Sequence, residues 1–185
     1  LDFDYKRDYS VVQSNRGNST DGRETTVDDA VKKVAAEAVR AALGVDVSQM
    51  YCRAELVSDG DSYCLVYEED AVKECCVVVQ AETNRVTSVA KILAAGEREG
   101  VEFSEKELEN GKKQFEKCLA CDIWGEIEVE QITAKYYLQN DGQNINMGCI
   151  YYLAELSDGS AYSCTYDMLS QQIRMVEYYG ANSDS

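Results

Sequence analysis

Cys118 and Cys121 form the one redox-shaped motif in this chain. A Cys-x-x-Cys pair at a helix start can lower a thiolate pKa and cycle through a disulfide. Here the pair falls where a helix is expected to end, at the negative pole of its dipole, and no βαβ pattern precedes it. Packing, or a structural disulfide, is the stronger reading. Thiol–disulfide chemistry at Cys118 and Cys121 is the alternative. The chain has eight cysteines, and the other six are Cys52, Cys64, Cys75, Cys76, Cys149 and Cys164. An even count of this size points to an oxidising compartment and to some bridges, with Cys64 and Cys149 as further disulfide candidates. Most of them lie in apparent strands, where a buried thiol also serves as a small hydrophobe. Cys75 and Cys76 are adjacent, so their side chains leave opposite faces of a strand. They lack the spacing of a second close pair for a four-thiolate zinc site.

Histidine is absent. That excludes Ser-His-Asp and Cys-His nucleophiles, His-ligated zinc and a histidine pH switch. The turns at Asp59-Gly60-Asp61 and Asn140-Asp141-Gly142 lack the remaining oxygen ligands and terminal glutamate of a calcium loop. Neither a metal nor a cofactor is expected, and no catalytic set is visible.

Tyrosine is the enriched residue, thirteen in all. Tyr136, Tyr137, Tyr151, Tyr152, Tyr162, Tyr166, Tyr178 and Tyr179 fall in the strands expected of the second half. Adjacent tyrosines on a strand put one ring on each face, so half-core packing is one outcome. The sharper expectation is a protein- or peptide-binding face carried by Tyr137, Tyr151, Tyr152, Tyr162, Tyr166, Tyr178 and Tyr179, with a free sheet edge as a further means of capture.

Charge bounds the partners. With 34 acidic and 18 basic residues the net charge is −16, which repels nucleic acid and anionic lipid. No apolar run approaches the roughly 20 residues of a membrane span. No signal peptide is visible, and the start at Leu1 rather than Met suggests a mature or trimmed chain, secreted or anchored at the cell surface.

The elements that must hold these residues read as α+β, in two repeated units, each one helix packed on a four-stranded antiparallel sheet. Residues 1–25 are a flexible segment with an edge strand over 1–12. Residues 26–93 form the first unit, 94–103 a linker, 104–180 the second unit and 181–185 a tail. The first helix starts at Thr26, paired with Asp29 as a near capping box, and stops at Gly44. Ser104 with Glu107 caps the second helix, which runs to about Cys121. Strands are expected over 50–57, 62–68, 75–81 and 86–92, with a loose connection at 69–73, and again over 126–139, 147–155, 161–167 and 172–179. The hairpin over 80–89 turns at 82–85 with Asn84 left-handed, and 167–176 repeats its register: Thr83 meets Ser170, Val86 meets Ile173, and Val89 meets Val176.

A helix ending in Ala42-Leu43-Gly44, followed by strands that close on 80–89, resembles the PepSY and PepSY-like domains of exported bacterial proteins. In those domains the closing motif carries an aspartate and a glycine. Here the aspartate position holds Gln80 and Asp167, and the glycine position Asn84 and Gln171. The helix-plus-meander order is also similar to the cystatin-like architecture. The resemblance implies a non-catalytic module outside the cytoplasm, linked to inhibition, sensing or protein binding. A structural spacer of a cell-surface protein is the third reading.

Overall fold

Apolar side chains recurring at Val31, Ala35, Ala38, Val39 and Ala42 make one face of a helix, and the chain folds there as α1, Asp29–Leu43. The computed structural model describes residues 23–92, 101–138 and 147–181. Asp28, rather than Thr26, caps α1, its carboxylate accepting the Val31 N–H at 3.0 Å. A carboxylate there also meets the positive end of the helix dipole. Gly44 ends the helix with φ 68°, the left-handed conformation that glycine adopts without a steric penalty. The second helix, α2, spans Glu105–Leu119 and starts as expected, with the Ser104 hydroxyl accepting the Glu107 N–H at 3.2 Å.

Among the described residues nine strands accompany these helices: β1 (Arg23–Thr25), β2 (Tyr51–Val57), β3 (Ser62–Glu69), β4 (Val72–Gln80), β5 (Val86–Lys91), β6 (Val129–Tyr136), β7 (Cys149–Leu156), β8 (Ala161–Asp167) and β9 (Gln172–Tyr179). They form one antiparallel sheet in the order β1-β2-β3-β4-β5-β9-β8-β7-β6. This overturns the expectation of two repeated units, each with its own sheet. β5 pairs with β9 through Ser88–Glu177, Val89–Val176 and Ala90–Met175, so the sheet runs unbroken from β1 to β6. The helices are not divided between halves either. α1 packs on β4, β5 and β9, across that junction, while α2 packs on β7 and β9 and touches α1.

A single main core results, containing Val39 and Val77 together with Phe115, Tyr152 and Val176. The physical reason is edge satisfaction. A four-stranded half would leave the N–H and C=O groups of β5 or β9 unpaired along a valine-rich strand, and a unit of that size buries little apolar surface alone. Among the described residues the opposite face of the sheet carries no helix, and it has a small cluster of Cys64, Val66, Cys76, Ala90 and Met175.

The turns follow local chemistry. Asn84 is left-handed as expected, with φ 55°, and Gln171 takes the same conformation at φ 57° although glutamine disfavours it. The connection expected to be loose at 69–73 is a two-residue turn instead. Glu69 pairs with Val72, and Asp70 and Ala71 hold φ of 50° and 62°. A tight hairpin needs both central residues left-handed. The edge strand expected over 1–12, the turn at 140–142 and most of the 94–103 linker lie outside the described residues.

Ala71 carries a Cβ into a conformation that costs an L-residue roughly 1–2 kcal/mol. Ala71→Gly is therefore expected to raise Tm by about 2–4 °C, equivalent to ~1 kcal/mol at this chain length. An unchanged or lower Tm by calorimetry would count against a left-handed Ala71.

Candidate functional site

Tyr152 of β7 and Tyr162 and Tyr166 of β8 belong to the core on the helix side of the sheet. Tyr152, Tyr162 and Tyr166 are at most 1% exposed. Their hydroxyls are used locally: Tyr152 donates to the Leu108 carbonyl at 2.6 Å, and Tyr166 donates to Glu107 Oε2 at 2.7 Å. Asn110 Nδ2 donates to the Tyr166 hydroxyl at 2.7 Å, and Gln171 Nε2 donates to Glu107 Oε1 at 2.6 Å. Gln114 Nε2 completes the clasp by donating to the Gln171 carbonyl at 2.9 Å. The left-handed Gln171 is thus held by the helix on two sides.

Gly111 lets α2 come this close. A Cβ there would run into the Tyr152 hydroxyl and meet ring carbons of Tyr166 at 2.8 and 2.9 Å. Tyr152 and Tyr166 fasten the helix to the sheet, and they and Tyr162, expected on a binding face, are buried.

The remaining tyrosines are spread out. Tyr151 is buried on the helix-free face, edge-on to Tyr137 with centroids 6.4 Å apart. Tyr178 is half-buried between Tyr162 and the Arg85 guanidinium, which stands 4.6 Å from its ring centroid. Tyr179, also half-buried, donates to Glu177 Oε2 at 2.8 Å. Glu177 is the residue the sequence did not single out. It is 5% exposed and lies on the helix-free face in register with Ser88 and Ser163. Its place in an alternating strand was legible, but which side of that strand is buried was not. Asp167, equally buried, caps the following turn by accepting from the Leu169 N–H and the Ser170 hydroxyl.

The cysteines do not meet as disulfide partners on the sheet. Cys52 and Cys75 both stand opposite Tyr67, Cys64 stands opposite Glu55 and Val78, and Cys76 opposite Val66 and Ala90. Cys149 faces Asp167, and Cys164 faces Tyr152 and Val176. All eight stand as thiols. Cys64 and Cys149, on β3 and β7, are five strand positions apart in the sheet, roughly 24 Å at the usual strand spacing. No bridge between them is geometrically open.

Cys118 faces the core beside Cys164 and Trp124, and burial pushes its thiol up to about 12, with nearby Cys121 adding to the effect. A reactive thiolate needs the opposite setting. Half-buried Cys121 lines a cleft of about 510 Å³ with Arg40, Gly44, Gln114, Lys117 and Gln172, between the ends of the helices and the β8–β9 turn. Arg40 is paired there with Asp46 at 3.6 Å. Among the described residues no cluster is placed to hold a metal ion, and no helix is long and apolar enough to cross a membrane.

The edges of the sheet are unequal. At one end β1 is three residues long. At the other, β6 runs for eight residues, and among the described strands it pairs only with β7. Every residue of β6 is exposed except Ile132, which is half-buried on the helix side. A bulge between Val129 and Gln131 twists its start, and regular pairing then continues from Gln131 to Tyr136. Among the described residues, three of the six exposed large apolar side chains, Val129, Tyr136 and Leu138, are on or just beyond this strand. The Tyr136 ring stacks on Phe103 at 3.7 Å and 6°. Glu126, Glu128 and Glu130, all exposed, lead into it.

No family model and no curated protein matches this chain. Among solved structures it is similar to the crystal structure of a protein with unknown function from Clostridium leptum DSM 753, with a TM-score of 0.47 and 11% identity over 87% of this chain and 91% of that one. At that level nothing is carried over from it, and the PepSY-like resemblance rests on its quoted motifs.

Two outcomes follow from the buried groups. Gly111→Ala should cost about 1–3 kcal/mol in denaturant melts despite the better helix propensity of alanine. Tyr152→Phe, which removes the nearest obstructing atom, should recover part of that loss in the double variant, and strict additivity would contradict the contact. The second outcome is alkaline. Burial raises Cys64 and Cys118 from 9.0 to about 12, Cys75 from 9.0 to about 11 and Tyr162 from 10.0 to about 12. Each group is protonated in the fold over a range where the unfolded chain has lost the proton. Stability is therefore full below pH 9 and falls as pH rises from 9 toward 12. Denaturant midpoints that stay flat over that interval would contradict it.

Proposed function

We propose that this protein is a non-catalytic binding module that captures an extended protein or peptide segment by strand addition at β6. The observation that carries this reading is the exposed outer side of β6, eight residues that among the described strands pair only with β7. Along a regular antiparallel strand about half the residues direct N–H and C=O away from the partner already paired. An added strand alongside residues 131–136 would form about six hydrogen bonds, each worth roughly 0.5–1.5 kcal/mol net before ordering costs.

The apolar contacts sit beside them, in Tyr136 stacked on Phe103 and in half-buried Ile132. Tyr136 and Tyr137 are the tyrosines at this edge, so tyrosine contributes to capture there and not through the buried rings of β7 and β8. The absence of histidine and the raised thiol and phenol pKa values support a binding role over an enzymatic one. An extracytoplasmic setting is part of the same proposal, and the eight thiols do not add to it.

Thr133→Pro and Ala134→Pro test this on an array of short extended peptides. Of two successive strand residues one turns its N–H toward β7 and the other outward. The first variant should lose thermal stability. The second should keep the parent circular dichroism and melting curve and yet lose peptide capture. Undiminished capture by that stable variant overturns strand addition at β6.

A further inference from the structure

We infer that the segment captured at β6 is basic and alternates apolar with polar residues, its cations lying toward the Val129 end of the strand. This rests on the strand-addition reading and adds the chemistry of the partner to it. Strand addition by itself is indifferent to sequence, because backbone groups make the bonds. Side chains beside the edge then decide what is accepted.

On the helix side an incoming strand meets Ile132 and the Phe103–Tyr136 stack, which favour apolar residues at alternate positions. On approach to Val129 it meets Glu126, Glu128 and Glu130, all exposed, in a chain of net charge −16. Lys135 is the cation near the other end of β6, so the charge along the edge is graded and not uniform. A basic segment is drawn in by the overall field and is placed by that gradient.

The same charge works against a second copy of this chain. Two copies joined edge to edge would bring together net charges of −16 each. Charge at an edge is also a general guard against self-pairing.

The test uses the full 185-residue chain and three labelled peptides followed by fluorescence anisotropy. One alternates Val with Lys, the second replaces Lys by Glu, and the third is the Val–Lys peptide with a central proline. The Val–Lys peptide should bind, and should weaken about tenfold between roughly 50 and 300 mM NaCl as screening shortens from about 14 to about 6 Å. The other two should not saturate. The triple variant Glu126→Gln, Glu128→Gln, Glu130→Gln should keep the parent melting curve and bind the Val–Lys peptide about tenfold more weakly.

Equal binding of the Val–Lys and Val–Glu peptides overturns the charge inference while leaving the edge reading standing. Equal binding of the proline-interrupted peptide overturns the edge reading itself, because attraction would then owe nothing to strand addition. Failure of the Val–Lys peptide to saturate at millimolar concentration, or sedimentation showing a dimer that the outward-facing proline variant abolishes, overturns the basic partner.

Discussion

The backbone groups of β5 and β9 face one another over Ser88–Glu177, Val89–Val176 and Ala90–Met175, and this short antiparallel junction decides the architecture. β5 carries Val86 and Val89 and β9 carries Ile173 and Val176, all of which need burial on the helix side, and both strands would otherwise end a sheet with unpaired N–H and C=O groups. Joining them removes two edges at once and leaves a continuous surface wide enough for two helices. α1 then lies across the junction, where Val39 and Ala35 share a core with Val89 and Val176. The helices, the burial of the tyrosines and the location of the remaining edges all depend on it.

Placement of α2 is set by a second close contact. Gly111 brings the helix backbone against Tyr152 and Tyr166, and Glu107, Asn110 and Gln114 bond the sheet and its β8–β9 turn from the same helix face. Spacings of three and four residues put these side chains in one stripe. Tyrosine suits this position because its ring fills the core while its hydroxyl satisfies a carbonyl or carboxylate at the boundary. The abundance of tyrosine in β7 and β8 is therefore explained by helix attachment.

Both ends of the sheet remain after the junction has formed, but they differ in exposure. β1 is too short to template much pairing, whereas β6 is long, half-apolar and bordered by glutamates. The bulge at its start and the charges around it restrict what can add there without closing the edge. The cleft beside Cys121 gathers Arg40 and Lys117 but no acid–base or thiolate pair, and the thiol of Cys118 is held in its neutral form by burial. Binding along a strand is the proposal that this distribution of exposed groups supports.

What the chain determined by itself is local. Ser104 caps α2, Gly44 stops α1, and Asn84 turns its hairpin, because each effect involves groups within a few residues of one another. Strand positions were legible for the same reason, to within a few residues at most ends. The loose connection expected at 69–73 differed because charge at Glu69 and Lys73 says little about the φ of Asp70 and Ala71 between them. The repeated order of a helix and four strands was also legible, but order in sequence does not say whether two edges pair. That was decided by β5 meeting β9, about ninety positions along the chain, through contacts that no local pattern encodes. The same holds for the Cys118–Cys121 motif. Its spacing was plain, while the buried side facing Cys164 and Trp124 that keeps Cys118 protonated arises only when the helix settles on the sheet.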